Sequence, residues 1–185
     1  MMLQSYDDYE HIISRIKKEG NEVNDTYELS GEVIKVNLAT TESIADILKI
    51  DDEFTKEFTK SIIKFIPKQL GPYDTSAYFT MIPSLKAALS LLEDDCIETR
   101  RCIVKFPESH CFQTIQFLFR ENTVNVVCYM RSCNAIKNLR HDIWICSLLG
   151  NIFAKQLRDV FDKHPYECQR ITMMFGSLHV FKEDL

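Results

Sequence analysis

The chain lacks the features that mark several large classes of protein. It has no run of the roughly 20 apolar residues that a membrane span needs, and its N-terminus carries no apolar secretory stretch. Its seven cysteines are an odd number without CxxC spacing, which favours reduced thiols over a disulfide framework or a zinc site. We therefore expect a cytoplasmic protein with no membrane segment and no metal.

The chain also lacks the excess of basic residues that would give it a positively charged surface. The chain has 22 Lys and Arg residues against 27 Asp and Glu residues, which gives a formal net charge of −5 at pH 7. Binding to nucleic acid draws on a surface that neutralises many phosphates. We expect no direct nucleic-acid partner, although a few arginines can still hold one phosphate.

Glycine and proline are scarce, with five of each in 185 residues, and the chain shows no repeat or low-complexity segment. These observations predict a single domain over residues 1–185, long enough to bury about 70% of the surface of the unfolded chain.

Hydrophobic periodicity divides the chain into a helix-rich first half and a strand-rich second half. Helical spacing covers residues 5–20, 51–66 and 84–94, whereas 25–38 is predicted to be extended and 71–79 to be a loop. From Thr99 the pattern favours strands, interrupted by the longest helix, from about His141 to Phe161. This order predicts an α+β domain in which helices cover one face of a mixed sheet.

Cys111 and Arg131 are the first candidates for chemistry. Cys111 begins one predicted strand and Arg131 ends the next, with a turn around Glu121 and Asn122 between them. Because a tight turn brings the outer ends of two strands together, thiol and guanidinium are expected to be neighbours. A nearby cation lowers the pKa of a cysteine and favours the reactive thiolate. The alternative is an inert cysteine beside a surface arginine.

Several motifs in one chain order resemble the thymidylate synthase family, including its deoxycytidylate hydroxymethylase branch. The family's nucleophile lies twenty positions before the arginine of a Gln-Arg-Ser motif, and Cys111 lies twenty positions before Arg131. The family's arginine pair is similar to Arg100 and Arg101, and its sugar-binding histidine is similar to His179. The resemblance extends from about residue 71 to residue 185.

The resemblance implies a role for each matching residue. It implies Cys111 as the nucleophile that adds to the pyrimidine, with the arginine pair supplied by the second subunit of a homodimer. The phosphate would be held by Arg131, Ser132, Arg100 and Arg101, the sugar by His179, and further parts of the site would be Tyr73, from Gly71-Pro72-Tyr73, and Asn134, on the folate side.

Asp142 falls eleven positions after Arg131, where the family reads the base with an asparagine. Uracil offers an N3–H donor and an O4 acceptor, which an amide complements. Cytosine offers an amino donor and an unprotonated N3, and a carboxyl group can accept from the first and, when protonated, donate to the second. The acid therefore predicts cytidylate. The alternative is an acid placed at a helix N-terminus by the helix dipole.

The sequence also departs from the family pattern. Phe112 stands in place of the histidine after the nucleophile, Met130 in place of the motif glutamine, and Asn134 in place of an aspartate. The sequence stops soon after His179, so we expect the family's C-terminal closing segment to be absent. A partner chain that completes the site would account for this.

These features predict a C5 one-carbon transferase that acts on a pyrimidine nucleoside monophosphate. The expected activity is (d)CMP hydroxymethyltransferase with 5,10-methylenetetrahydrofolate as the donor, in a homodimeric thymidylate synthase-like fold built on the sheet. Hydroxymethyl transfer is favoured over methyl transfer by analogy with cytidylate-directed relatives. Two alternatives stay open: a dUMP or UMP C5-methyltransferase, and a degenerate, non-catalytic nucleotide-binding or structural partner.

Overall fold

The computed structural model describes residues 1–38, 44–64, 69–70, 73–74, 84, 87–88, 90, 100–161 and 167–185. The elements with defined bounds are, in chain order, β1 (Met2–Leu3), α1 (Tyr6–Glu19), β2 (Asn21–Val23), β3 (Thr26–Asn37), α2 (Ile44–Ile47), α3 (Asp52–Lys64), β4 (Gln69–Leu70), β5 (Tyr73–Asp74), β6 (Ile103–Lys105), β7 (Phe112–Arg120), β8 (Thr123–Asn134), α4 (Leu139–Phe161), β9 (Glu167–Phe181) and a 3-10 helix (Lys182–Asp184).

Seven of the nine defined strands form a mixed sheet, β4 and β5 form a separate pair, and this arrangement confirms the predicted α+β class. The order of the mixed sheet is β1-β3-β9-β8-β7-β6, with β2 paired to β3 beside this path. β7 and β8 are an antiparallel hairpin, joined through Glu121 and Asn122, whose φ angles of 49° and 63° belong to a tight turn. β9 is parallel to β8 because α4 carries the chain back across the sheet between them.

Helix α4 packs on the buried face of the sheet. The ring of Phe153 stacks on Phe117, with 3.8 Å between ring centroids. Gly150 lets the helix approach the sheet closely, because a Cβ atom there would lie 2.4 Å from the Cys168 sulfur. Trp144 is buried against α3, where its ring meets that of Phe58 edge to face.

The predicted helix boundaries hold where the structure describes them. Ser5 caps α1 in a capping box with Asp8, and Gly20 follows its last residue. α3 covers 52–64 of the predicted 51–66, and the described residues among 84–94 are helical. The loop predicted over 71–79 was wrong at Tyr73 and Asp74, which pair with β4, and the rest of it lies outside the described residues. Within the described ranges, no helix is long and apolar enough to cross a membrane.

Strand β9 changes which of its alternate residues face the core. From Ile171 to Phe175 the odd-numbered positions are buried, whereas from Leu178 the even-numbered positions are buried. Between these two stretches lie Gly176, which is exposed, and Ser177, which is half-buried. Since successive side chains of a regular strand alternate between faces, this break moves Ser177 away from the core face.

The break lies where β9 meets irregular positions on both neighbouring strands. Gly31, with φ of +69°, stands opposite on β3, and Arg131 lies beside it on β8. A Cβ atom on Gly176 would lie 2.7 Å from the Arg131 carbonyl oxygen, which is closer than carbon and oxygen approach. Glycine therefore allows β9 to pass the end of β8, where the candidate residues lie.

Candidate active site

The hairpin brings the backbones of Cys111 and Arg131 together, and the predicted contact between thiol and guanidinium stays a prediction. The backbone N–H of Arg131 donates to the Cys111 carbonyl oxygen at 2.8 Å, and both side chains are exposed. The Cys111 Sγ lies 3.7 Å from the Ser132 Oγ, and either group can donate. The Arg131 Nη1 donates to the Glu108 carbonyl oxygen at 3.3 Å, so the guanidinium extends toward the turn that precedes the cysteine.

An irregularity in β7 shapes the approach to Cys111. The pairing with β8 shifts between Phe112 and Thr114, so Gln113 is an extra residue on β7. Its side-chain amide donates to the His110 carbonyl oxygen, and His110 N donates to the Pro107 carbonyl oxygen at 3.0 Å. The cysteine is therefore exposed between a closed turn and a bulged strand, directly before the first residue of β7.

A row of polar side chains, Cys111, Ser132, Ser177 and His179, crosses three neighbouring strands; we call it the polar row. Ser132 on β8 pairs in register with Ser177 on β9, and register partners share one face of a sheet. The Ser177 Oγ lies 3.5 Å from the His179 Nδ1. The break in alternation at Gly176 is what places Ser177 in this row.

His179 is half-buried and lies beside Asn134 in the register of β8 and β9. Burial lowers its pKa, and the negative charges of Glu28 and Asp25 oppose this shift. The imidazole is therefore neutral at neutral pH and has one N–H donor and one acceptor nitrogen. Such a ring can exchange a hydrogen bond with a ligand hydroxyl, which fits the sugar-binding role implied by the resemblance.

Asp142 lies in the first turn of α4 and is buried, with its carboxyl group against β8. The Cys133 thiol donates to its Oδ2 at 3.4 Å. Burial raises the pKa of Asp142 to about 7, and the Cys133 hydrogen bond opposes that shift. A carboxyl group with this pKa can both donate and accept near neutral pH, as pairing with cytosine requires.

Cys133 connects Asp142 to the polar row. It is fully buried, and its pKa is raised by burial, by the Asp142 charge and hydrogen bond, and by the Cys111 charge. Both Asp142 and Cys111 are therefore near enough to act on the same thiol. Cys133 therefore interacts both with the residue predicted to attack the ring and with the residue predicted to read the base.

Arg100 and Arg101 lie elsewhere in the same chain. Both are exposed just before β6, and the Arg100 carbonyl oxygen accepts from the Gln116 side chain at 2.7 Å. The backbone N–H of Phe117 donates to the Cys102 carbonyl oxygen, six residues along β7 from Cys111. At about 3.4 Å per residue the arginines are roughly 20 Å from the thiol. The structure does not bring them to the polar row within one chain.

Tyr73 and Asn134 have different outcomes. The backbone of Tyr73 belongs to β5, and its side chain lies outside the described residues. The Asn134 Oδ1 accepts from the backbone N–H groups of Ile136 and Lys137 at 3.0 and 2.9 Å. Because this buried amide oxygen is held by the turn before α4, it does not fit a contact to folate.

The sequence reasoning missed Cys133 and Ser177. Cys133 directly follows Arg131-Ser132, but seven cysteines without metal or disulfide spacing gave no reason to single it out. Ser177 is in a strand whose regular alternation would place it with Phe175 on the buried face. Gly176 was the available signal, since an isolated glycine in a strand often marks a bulge or a close approach.

Comparison with known proteins adds no family to this geometry. No protein-family model matches the chain, and no curated protein matches it.

Proposed function

We propose that this chain binds a cytidine monophosphate, dCMP or CMP, and acts as a C5-hydroxymethyltransferase in a homodimeric thymidylate synthase-like fold. The observation that supports this best is the arrangement around Cys133. The charge of an exposed thiol, Cys111, acts on Cys133, and a buried carboxyl group with a pKa near 7, Asp142, accepts its hydrogen bond. A pyrimidine ring needs a nucleophile at C6 and a polar reader at N3 and the C4 substituent.

The proposed chemistry begins at Cys111. Its thiolate adds to C6 of the pyrimidine, a C–S bond forms, and the ring electrons make C5 nucleophilic. C5 would then bond to the one-carbon unit of a donor, for which the resemblance implies methylenetetrahydrofolate, and the donor's amine would leave as its C–N bond breaks. Loss of the C5 proton to water would give an exocyclic methylene group, addition of a water molecule to that carbon would form the hydroxymethyl group, and elimination of the Cys111 thiolate would restore the ring. The described residues supply the nucleophile and the exposed position from which it can reach a ring.

Arg131 and Ser132 would hold the phosphate at the end of β8. A guanidinium suits phosphate because its planar donors match two oxygens at once. Arg131 is exposed and Ser132 half-buried, and both are beside Cys111. One nucleotide could therefore span from the phosphate contacts to Asp142, with the neutral His179 beside the sugar.

The proposed dimer would use the face of the sheet opposite α4. Tyr129 and Met174 pair in register on this face and are 43% and 36% exposed. Adjacent exposed apolar side chains at the centre of a sheet favour a protein contact. A second copy on this face would be in a position to carry its Arg100 and Arg101 to the phosphate, which would overcome their distance from Cys111 within one chain.

Tritium release from C5-labelled dCMP, CMP and dUMP tests the proposal. Release without a one-carbon donor reports reversible thiol addition alone, and further release on adding methylenetetrahydrofolate reports transfer. We expect the donor to increase release from a cytidylate more than from dUMP. The absence of release from every nucleotide, with Cys111 intact and the protein folded, would contradict the proposal.

A second candidate function is favoured by the hydrogen bonds of Asn134. Because its amide oxygen is held by the backbone of Ile136 and Lys137, the chain can bind a nucleotide without a folate contact at that position. The protein would then be a nucleotide-binding partner without transfer activity. Calorimetric binding of dCMP or CMP, together with tritium release that the donor leaves unchanged, would distinguish this function.

A further inference from the structure

The contact between Cys133 and Asp142 assigns different roles to the two carboxyl oxygens. The Cys133 thiol lies 3.4 Å from Asp142 Oδ2 and 3.6 Å from its second acceptor, the Asn134 carbonyl oxygen. A thiol has one proton, and the Asp142 oxygen is the nearer of its two acceptors. Both partners are buried, so water does not compete for this bond. Oδ2 is therefore the oxygen that accepts.

This hydrogen bond determines where a neutral Asp142 carries its own proton. An oxygen that accepts the S–H is better suited to be the carbonyl oxygen of the acid, so the acid proton is placed on Oδ1. The neutral acid then presents a donor at Oδ1 and an acceptor at Oδ2. Without the thiol, the proton can exchange between the two oxygens at little cost, and either order of donor and acceptor is available.

Cytosine and uracil require opposite orders. At N3 and position 4, cytosine presents an acceptor and a donor, whereas uracil presents a donor and an acceptor. A carboxylic acid that is free to move its proton matches both bases. An acid whose proton is fixed on one oxygen matches one of them and meets the other donor to donor and acceptor to acceptor.

We propose that Cys133 is a positioning residue that fixes the donor–acceptor order of Asp142 and thereby selects between cytosine and uracil. This inference rests on the proposed function, because it assumes that Asp142 reads the base. It adds a requirement that the proposed function does not contain, since a carboxyl group by itself does not discriminate when it is protonated.

The other titratable groups near Asp142 have partners elsewhere, so Cys133 is the residue that determines where the carboxyl group carries its proton. Cys128, also on β8, is a second thiol whose charge interacts with that of Asp142. It is buried and hydrogen-bonded to Cys146 on α4. On α4 itself the Arg140 Nη1 donates to the Leu48 carbonyl oxygen, away from the sheet. The neighbouring ring, His141, packs against α3. Within the described chain, Cys133 is the group that both hydrogen-bonds the carboxyl group and opposes its raised pKa.

Calorimetric affinities for dCMP and dUMP, in wild type and four variants, test the inference. Cys133→Ala and Cys133→Val remove the donor, and the second fills the site if the first does not fold. Cys133→Ser keeps a donor, and Cys128→Ala is the matched buried-thiol control on the same strand. Titrations at about pH 6 and about pH 8 compare the neutral with the ionised acid, and carbon NMR of the Asp142 carboxyl group follows its pKa without nucleotide.

We expect the Ala and Val variants to lose about tenfold or more in discrimination at about pH 6, and less at about pH 8, because the acid then has no proton to place. Cys133→Ser and Cys128→Ala should discriminate as wild type does. The pKa of Asp142 should rise in the Ala and Val variants, because they lose a hydrogen bond that stabilises the ionised form.

The outcomes separate the inference from the function on which it rests. Nucleotide binding with unchanged discrimination in Cys133→Ala and Cys133→Val overturns the role of Cys133 and leaves the proposed function standing. Equal binding of dCMP and dUMP by wild type overturns the selection itself. Failure of the folded wild type to bind either nucleotide overturns both proposals.

Discussion

The Cys111 thiol and the Ser132 hydroxyl lie 3.7 Å apart across the end of the β7–β8 hairpin. The two side chains are 21 positions apart in the sequence, and the paired strands bring them together. Ser132 also pairs in register with Ser177, the next member of the polar row. An exposed thiol is thus held next to the residues proposed to bind phosphate and sugar.

Alkylation should modify Cys111 before the other described cysteines. Cys111 is exposed, whereas Cys102, Cys128, Cys133, Cys146 and Cys168 are buried, and a reagent reaches a buried thiol only when the structure opens. Limited reaction of the native protein with iodoacetamide, followed by peptide mass spectrometry, measures the order. A Cys96→Ala background removes the cysteine that lies outside the described residues.

Nucleotide should slow the labelling of Cys111 if the thiol lies in the proposed site. Inorganic phosphate alone should protect less than dCMP, since it does not extend to the ring. A buried thiol that reacts first, or labelling that dCMP leaves unchanged at saturating concentration, would remove Cys111 as the nucleophile.

Complementation between subunits should show that Arg100 and Arg101 act in trans. An Arg100→Ala, Arg101→Ala double variant should be inactive alone, because each lost charged hydrogen bond to phosphate costs about 1.5–3 kcal/mol. A Cys111→Ala variant should be inactive alone because it lacks the nucleophile. In a mixed dimer, the subunit with intact Cys111 receives both arginines from its partner. After random exchange of equal amounts, tritium release should reach about a quarter of the wild-type value.

Proof of subunit exchange is the control for that experiment, and differently tagged subunits supply it. A mixture that exchanges fully but stays inactive would place the arginines outside the partner's site. A protein that stays monomeric at assay concentration would exclude sharing altogether.

Gly176→Ala should destabilise the protein by about 1–3 kcal/mol, because the new Cβ atom would lie 2.7 Å from the Arg131 carbonyl oxygen. That neighbour is backbone, so the two strands must move apart to relieve the contact. Urea unfolding measures the cost, and Thr172→Ala on the same strand is the control for a side-chain change without a close backbone neighbour. Equal stabilities of the Gly176→Ala variant and wild type would show that β8 and β9 do not approach this closely.

Local patterns in the sequence predict a large part of this fold. The β7–β8 hairpin follows from alternating residues on both sides of a short turn, and the place of Trp144 follows from the helical spacing of α4. The insertion of β9 between β3 and β8 does not follow from such patterns, because strand pairing across α4 is set by contacts distant in sequence. The contact between Cys133 and Asp142 depends on that packing, and so does the break in alternation that puts Ser177 in the polar row.

Asp142→Asn should reduce or invert the preference for cytidylate. In wild type we expect dCMP to bind more tightly than dUMP by about 2–4 kcal/mol, since a mismatched base leaves a buried polar group unsatisfied. The amide complements uracil when its NH2 group takes the place of Oδ2, an orientation that gives up the Cys133 hydrogen bond, whereas the acid with its proton on Oδ1 has no donor there. Calorimetry with dCMP, CMP, dUMP and UMP measures both preferences, and Asp52→Asn, another acid in a helix first turn, is the control. A preference that Asp142→Asn leaves intact would reduce Asp142 to a helix-terminal acid.

The same substitution should also change how stability depends on pH, without any nucleotide. Burial raises the pKa of Asp142 from its ordinary value of 3.8 to about 7. Between these values the folded protein holds a proton that the unfolded chain has lost, so stability falls as pH rises from about 4 to about 7. At about 1.4 kcal/mol per pH unit, the fall is at most about 4 kcal/mol.

Asparagine has nearly the shape of the neutral acid, can accept the Cys133 S–H, and has no charge to bury. Asp142→Asn should therefore match wild type in stability at about pH 4 and exceed it by up to about 4 kcal/mol at about pH 8. Urea unfolding of both proteins across this range measures the gap, and Asp52→Asn, at an exposed acid, should show no comparable growth. A gap that stays constant with pH would mean that the Asp142 carboxyl group ionises in the folded protein as it does in the unfolded chain. A gap that grows from about pH 4 and levels off above about pH 7 would instead show that the folded protein holds the Asp142 carboxyl group with its raised pKa.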